Sequence, residues 1–275
     1  MNLQQVNIDI VPEEKKVQIP NGYSLEQQFI NKYNSQFIKD DIFNCKKCGN
    51  KGFIAVLNEN NQVIFKTCTC FNSRRNRQRL KEMGLLEFID RKYSSESDDI
   101  QEKWLQLTKE ITKNYVKDFT RGKKNWLFIG GNIGSGKTSR CAFALAKMMK
   151  AKPELTVEYF NWDTSYKDLA FSKDKEALVY NLKNADILYI DDFMRIRNSN
   201  ELSQMERELA KMIIDFRYIN KKITLISSEL FLIEIEQIDE AIGSRIYEMT
   251  NSGNYMISIN RQEGRNLRLR KENRI

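Results

Sequence analysis

At 275 residues, the chain has room for two ordinary domains but not three. It is 41% hydrophobic and 30% charged, with three prolines and twelve glycines, which excludes disordered and collagenous classes. Net charge is +8, which permits a polyanionic partner without specifying one.

No apolar run approaches the roughly 20 residues of a membrane span. The opening MNLQQVNIDIVPEE lacks the basic and apolar blocks of a signal peptide. A cytoplasmic location with no membrane partner is therefore expected. Histidine is absent, so Ser-His-Asp and Cys-His catalysis are excluded. Any metal site must use cysteine or carboxylate, and any general base must be a carboxylate or a lysine.

In chain order, residues 24–43 place Leu25, Phe29, Tyr33 and Phe37 at i, i+4 spacing and predict a polar helix. Cys45, Cys48, Cys68 and Cys70 then bracket the hairpin-like stretch KGFIAVLNENNQVIFK. A basic helix is expected over about 72–83, where Arg74, Arg75, Arg77, Arg79 and Lys81 oppose only Glu82. The acidic, Ser-rich 94–99 reads as a linker, separating an N-terminal module (1–93) from a second domain (100–275). Trp104, Leu107, Ile111, Tyr115 and Phe119 predict an amphipathic helix over 100–119.

From residue 125, strand and helix alternate. NWLFI, TVEYF, ADILYI, KITLIS and YMISI read as strands. Helices are expected after the first strand, over 164–183, over 201–218 and over 235–248. In the third of these, Leu202, Met205, Leu209, Met212, Ile213 and Phe216 form the expected core face. Continuous apolar strands between amphipathic helices predict an α/β fold with a doubly wound parallel sheet.

Three motifs carry chemistry. GNIGSGKT fits the phosphate-loop pattern between a strand and a helix. Gly131, Asn132, Ile133, Gly134, Ser135 and Gly136 would wrap a phosphate with backbone N–H groups, with Ser139 following on the helix. Lys137 would reach the β- and γ-phosphates, and Thr138 would ligate Mg2+. The strand ILYI then ends in Asp191 and Asp192, and ligands lie at the carboxyl ends of such strands. Asp191 would hold Mg2+ and Asp192 would polarise the attacking water. Third, Cys45, Cys48, Cys68 and Cys70 form two close pairs suited to tetrahedral Zn2+. Free thiols, a redox pair and an iron–sulfur cluster are the alternatives there. Cys141, among apolar residues, reads as an inert core thiol.

The basic helix is either a phosphate-contacting surface or a solvated face. In the tail GRNLRLRKENR, Leu267 and Leu269 alternate with Arg268 and Arg270 as in an edge strand, where contact with phosphate or single-stranded DNA is possible.

Together GNIGSGKT, ILYIDDF, ITLISSE and Gly243-Ser-Arg245-Ile resemble AAA+ ATPases of the DnaC/DnaI helicase-loader group. The cysteine module with CTCFNSRRNRQRLKEMGL resembles the loaders of Gram-positive bacteria and their phages. The resemblance implies a five-stranded sheet of order 5-1-4-3-2, with ATP and Mg2+ at subunit interfaces. It also implies delivery of a ring-shaped replicative DNA helicase to single-stranded DNA, the N-terminal module gripping the helicase. Arg245 takes the place of the arginine that reaches a neighbour's active site, which implies self-association.

Two departures stand out. Glu229 occupies a position where many loaders have a γ-phosphate-sensing Asn, so the resemblance leaves that role to Ser228. Only sixteen residues follow Ile259, so no helical lid domain is expected. An IstB-type transposition helper shares the ATPase core but usually lacks the cysteine module. A non-hydrolysing, ATP-gated adaptor is favoured by Asp192 and Glu229.

Overall fold

The computed structural model describes residues 24–39, 44–90, 103–196, 201–262 and 265–267. The chain divides into two compact units between Arg74 and Arg75.

In the first unit, helix α1 (Leu25–Ser35) starts at Ser24, whose hydroxyl accepts from the Gln27 N–H at 3.3 Å. Strands β1 (Phe53–Leu57) and β2 (Val63–Thr67) form an antiparallel hairpin with Ala55 opposite Phe65. Asn34 ties the helix to the hairpin, its amide donating to the Ala55 carbonyl and its oxygen accepting from the Ala55 N–H. The helix is shorter than the apolar stripe suggests. Gln36 is extended, so Phe37 leaves the helix, while Phe29 and Tyr33 meet Phe65 edge-on. Residues 40–43 of that expected helix lie outside the described residues.

Helix α2 (Phe71–Glu82) contains the boundary between units. Its later turns belong to the second unit, because Leu80 and the following Leu85 are buried in the same apolar cluster as Leu145 and Met148. Each such leucine contributes about 1.5–3 kcal/mol of burial. The Asn76 amide also donates to the Met149 carbonyl at 2.6 Å, and the Arg79 guanidinium to the Val157 carbonyl at 3.2 Å. The compact boundary thus falls before the expected module end at 93, and the basic helix binds backbone carbonyls of its own unit. The linker expected at 94–99 lies outside the described residues.

The second unit continues with α3 (Leu86–Asp90), α4 (Lys103–Asp118), β3 (Trp126–Gly131), α5 (Lys137–Ala151) and β4 (Val157–Asn161). Next come α6 (Trp162–Phe171), α7 (Lys175–Asn184), β5 (Ile187–Asp191), α8 (Gln204–Ile219) and β6 (Ile223–Ser228). Helices α9 (Leu232–Ile238) and α10 (Glu240–Met249) precede β7 (Met256–Ile259). The five strands are parallel in the order β4-β5-β6-β3-β7. Counted from β3 within this unit, that is the expected order 5-1-4-3-2. Among the described residues no helix follows β7, and none is long and apolar enough to cross a membrane.

Strand alternation builds two core layers. Trp126, Phe128, Leu188 and Ile190 face one layer, and Leu127, Ile129, Ile187 and Tyr189 the other. Two expected helices are each divided. Residues 164–183 break at an extended Ser172. Residues 235–248 break at Asp239, whose carboxylate caps α10 by accepting from the Ile242 N–H at 3.0 Å.

The core face of α8 is also rotated from the expected one. Met205 and Met212 are exposed, while Ala210, Ile214 and Arg217 are buried beside Leu209 and Ile213. Arg217 tolerates complete burial because it donates to the carbonyls of Leu182, Lys183, Ala185 and Ile223.

Candidate functional site

The phosphate loop leaves β3 through Gly131, whose φ of 106° favours glycine. A Cβ there would strike the Ile259 carbonyl. Gly136, at φ 84°, is the N-cap of α5, so the loop delivers its chain to a helix N-terminus. Residues 133–139 line a polar cavity together with Phe88, Asp192, Arg195 and Glu229. The buried Lys137 ammonium donates to the Gly131 and Asn132 carbonyls at 2.9 and 2.8 Å. Ser135 donates to the Asn132 carbonyl at 2.8 Å, closing the loop.

The expected Mg2+ pair is brought together. The Thr138 hydroxyl donates to Asp191 Oδ1 at 3.1 Å. Asp191 also accepts from the hydroxyls of Tyr189 at 2.8 Å, Tyr159 at 3.3 Å and Ser227. Burial first, then the Asp191 charge, raises both tyrosine pKa values, so these phenols stay protonated and donate. Tyr159, Tyr189 and Ser227 lie on neighbouring strands and carry no motif of their own. Only their alternation on β4, β5 and β6 hinted that they share a face.

Asp192 follows with a left-handed φ of 54°. Burial and the adjacent Asp191 carboxylate push its pKa up to about 6, against the opposing pull of Arg195. Arg195, which the sequence reading did not single out, contacts Asp192, Asp163 and Glu229.

Ser228 and Glu229 differ from expectation in their placement. The Ser228 hydroxyl donates to the Phe193 carbonyl at 2.7 Å and accepts from the Leu230 N–H at 3.0 Å. Its hydroxyl is thus engaged by backbone groups on both sides, and Glu229 lines the cavity. Arg245 is not among the cavity-lining residues. On α10 it pairs with Asp215 of α8 at 2.6 Å and sits 5.5 Å from the Tyr218 ring centre.

The tail meets the phosphate loop and forms no strand over 265–267. The Leu267 N–H donates to the Gly134 carbonyl at 2.9 Å, and the Asn266 side chain covers the Gly134 Cα. Residues 268–275, including Arg268, Leu269 and Arg270, lie outside the described residues.

In the first unit, the sulfurs of Cys45, Cys48, Cys68 and Cys70 lie within 4.8 Å of one another and can hold a metal ion. Two pairs are 3.7 Å and 3.5 Å apart, against about 3.8 Å for thiolates around tetrahedral zinc. The donor set and spacing therefore fit Zn2+. A hydrogen bond from the Cys48 N–H lowers the Cys45 pKa to about 6, which favours the ligating thiolate. Burial among neighbouring thiols raises that of Cys70. Buried Asn50, which the sequence reading passed over, shapes the knuckle. It accepts from the Cys45 N–H at 2.7 Å and donates to the Ile38 carbonyl at 2.8 Å. Cys141 is fully buried on α5, and burial raises its pKa well above the ordinary thiol value.

Sheet order, phosphate loop and acidic strand end define an AAA+ P-loop nucleotide-binding domain. The chain belongs to the family of the bacterial DnaA ATPase domain, whose model matches residues 91–250. It is 29% identical over 231 residues to the phage-like element PBSX protein XkdC of Bacillus subtilis (strain 168), covering 79% of this chain and 82% of XkdC. It is 30% identical over 190 residues to the uncharacterized protein YqaM of the same organism, covering 67% of this chain and 60% of YqaM. The fold matches a crystal structure of the DnaC helicase loader with a TM-score of 0.50 at 22% identity. That match covers 63% of this chain and 98% of the solved one.

Proposed function

We propose that this protein is an ATP-dependent loader that delivers a hexameric replicative helicase to single-stranded DNA. The observation that carries the reading is the contact between Thr138 and Asp191 beside the phosphate loop, at the carboxyl end of the parallel sheet. Membership of a replication ATPase family and a fold shared with a helicase loader support it.

Lys137 exchanges its loop carbonyls for the β- and γ-phosphates of ATP, and the loop N–H groups hold the remaining charge. Thr138 and Asp191 would hold Mg2+, which when bound neutralises charge on the phosphate oxygens. Asp192 orients the attacking water and accepts its proton. Arg245 of an adjoining copy contributes positive charge, so turnover requires self-association. Cys45, Cys48, Cys68 and Cys70 would hold Zn2+, stapling a module too small to bury a large core, and that module grips the helicase.

A second reading, an ATP-gated adaptor without turnover, draws on the Arg195 contact to Asp192 and on Glu229 at the cavity. Phosphate release measured with single-stranded DNA and helicase separates the two. Stimulated release supports the loader, and nucleotide binding with no release supports the adaptor.

A further inference from the structure

Arg195 lines the same cavity as residues 134–139, and three carboxylates share its guanidinium. Nη1 lies 3.4 Å from Asp192 Oδ2 and 3.6 Å from Asp163 Oδ2, and Nη2 lies 3.6 Å from Glu229 Oε1. Charge-assisted hydrogen bonds of this kind close to about 2.7–2.9 Å, so all three contacts are loose. Its side chain remains 37% exposed. The residue is surrounded by acids but captured by none of them.

The local backbone is built to present it. Asp192 and Met194 both adopt a left-handed φ of 54°, a conformation that costs energy outside glycine. The Arg195 N–H closes this turn on the Asp192 carbonyl at 3.1 Å. Among the described lining residues the cations are Lys137 and Arg195, and the acids are Asp192 and Glu229. A terminal phosphate entering beside those acids is repelled unless a cation moves to meet it. A diphosphate held by the loop lacks that phosphate and escapes most of the repulsion.

We propose that Arg195 distinguishes a nucleoside triphosphate from a diphosphate by exchanging its three carboxylates for the terminal phosphate. In doing so it releases Asp192 toward the attacking water. Guanidinium suits the exchange because it is always charged and offers a planar fork to two phosphate oxygens. This proposal rests on the nucleotide-binding reading above and deepens it. It also accounts for Glu229, whose charge Arg195 neutralises before the triphosphate arrives.

The test is calorimetric titration of the full chain with ADP and with ATPγS, each with Mg2+. Arg195→Gln should weaken ATPγS by at least about tenfold, the loss of one charge-assisted contact, while ADP changes much less. Arg195→Lys, which keeps the charge but not the fork, should fall between. Glu229→Gln should shift selectivity the other way, tightening ATPγS relative to ADP. Equal weakening of both ligands by Arg195→Gln would mean a merely structural residue and overturn the proposal. An unchanged ADP-to-ATPγS ratio in both the Arg195 and Glu229 variants would overturn it as well. A wild-type chain that binds neither nucleotide refutes the nucleotide site itself, and with it the role of Arg195. A chain that binds both without these shifts refutes Arg195 alone.

Discussion

Thr138 and Asp191 are 53 positions apart in the chain, yet the threonine hydroxyl donates to the carboxylate at 3.1 Å. The parallel pairing of β3 with β6 and β6 with β5 creates this meeting, because it sets the strand ends carrying the two motifs on one rim. Thr138→Ala should therefore weaken Mg2+-dependent ATP binding by about tenfold or more, while metal-free ADP binding stays near wild type. Titration with and without Mg2+ checks this, and a variant unaffected in both conditions would remove Thr138 from the metal site.

Tyr189→Phe deletes a buried donor to Asp191 and leaves that carboxylate with fewer partners. A stability loss of about 1–3 kcal/mol is expected, with a shift of roughly 2–4 °C per kcal/mol in the melting midpoint. Thermal unfolding of the variant provides the measurement. An unchanged midpoint would show that Ser227 and Tyr159 suffice to hold Asp191.

Purified protein should contain about one zinc per chain, held by the four clustered cysteines. Cys68→Ser should lose the metal and helicase binding but keep ATP affinity, because the nucleotide cavity belongs to a separate compact unit. Elemental analysis of freshly purified protein decides the first point, and the absence of zinc would end the reading. Helicase capture and nucleotide titration decide the second.

Arg245 pairs with Asp215 within its own chain and has to leave that partner to reach a neighbour. Arg245→Ala keeps its phosphate loop and Lys137→Ala keeps its arginine, so a mixture of the two inactive variants should recover part of the ATPase activity. Specific activity should also rise with protein concentration. If the mixture stays inactive and wild-type activity is independent of concentration, Arg245 acts only through Asp215.

Much of the second unit was legible because its signals are local. Apolar strands, the glycine loop and the Asp191–Asp192 pair each report their own place in the chain. The four-cysteine cluster was equally readable from spacing, since two close pairs flank a hairpin-length insert. The residues that sequence patterns hid act across elements. Arg217 looks like a surface charge until four carbonyls from other segments surround it. Ser228 looks available until Phe193 and Leu230 engage its hydroxyl. Arg195 follows the acidic strand without any motif, and its meaning depends on Asp163 and Glu229 arriving from elsewhere.

Helicase loading itself is most directly tested on immobilised single-stranded DNA, using a bacterial replicative helicase hexamer. Retention of helicase on the DNA should require both this protein and ATP, and Lys137→Ala should abolish the gain. Helicase retention that is the same without the protein, or undiminished by Lys137→Ala, would contradict an ATP-dependent loader.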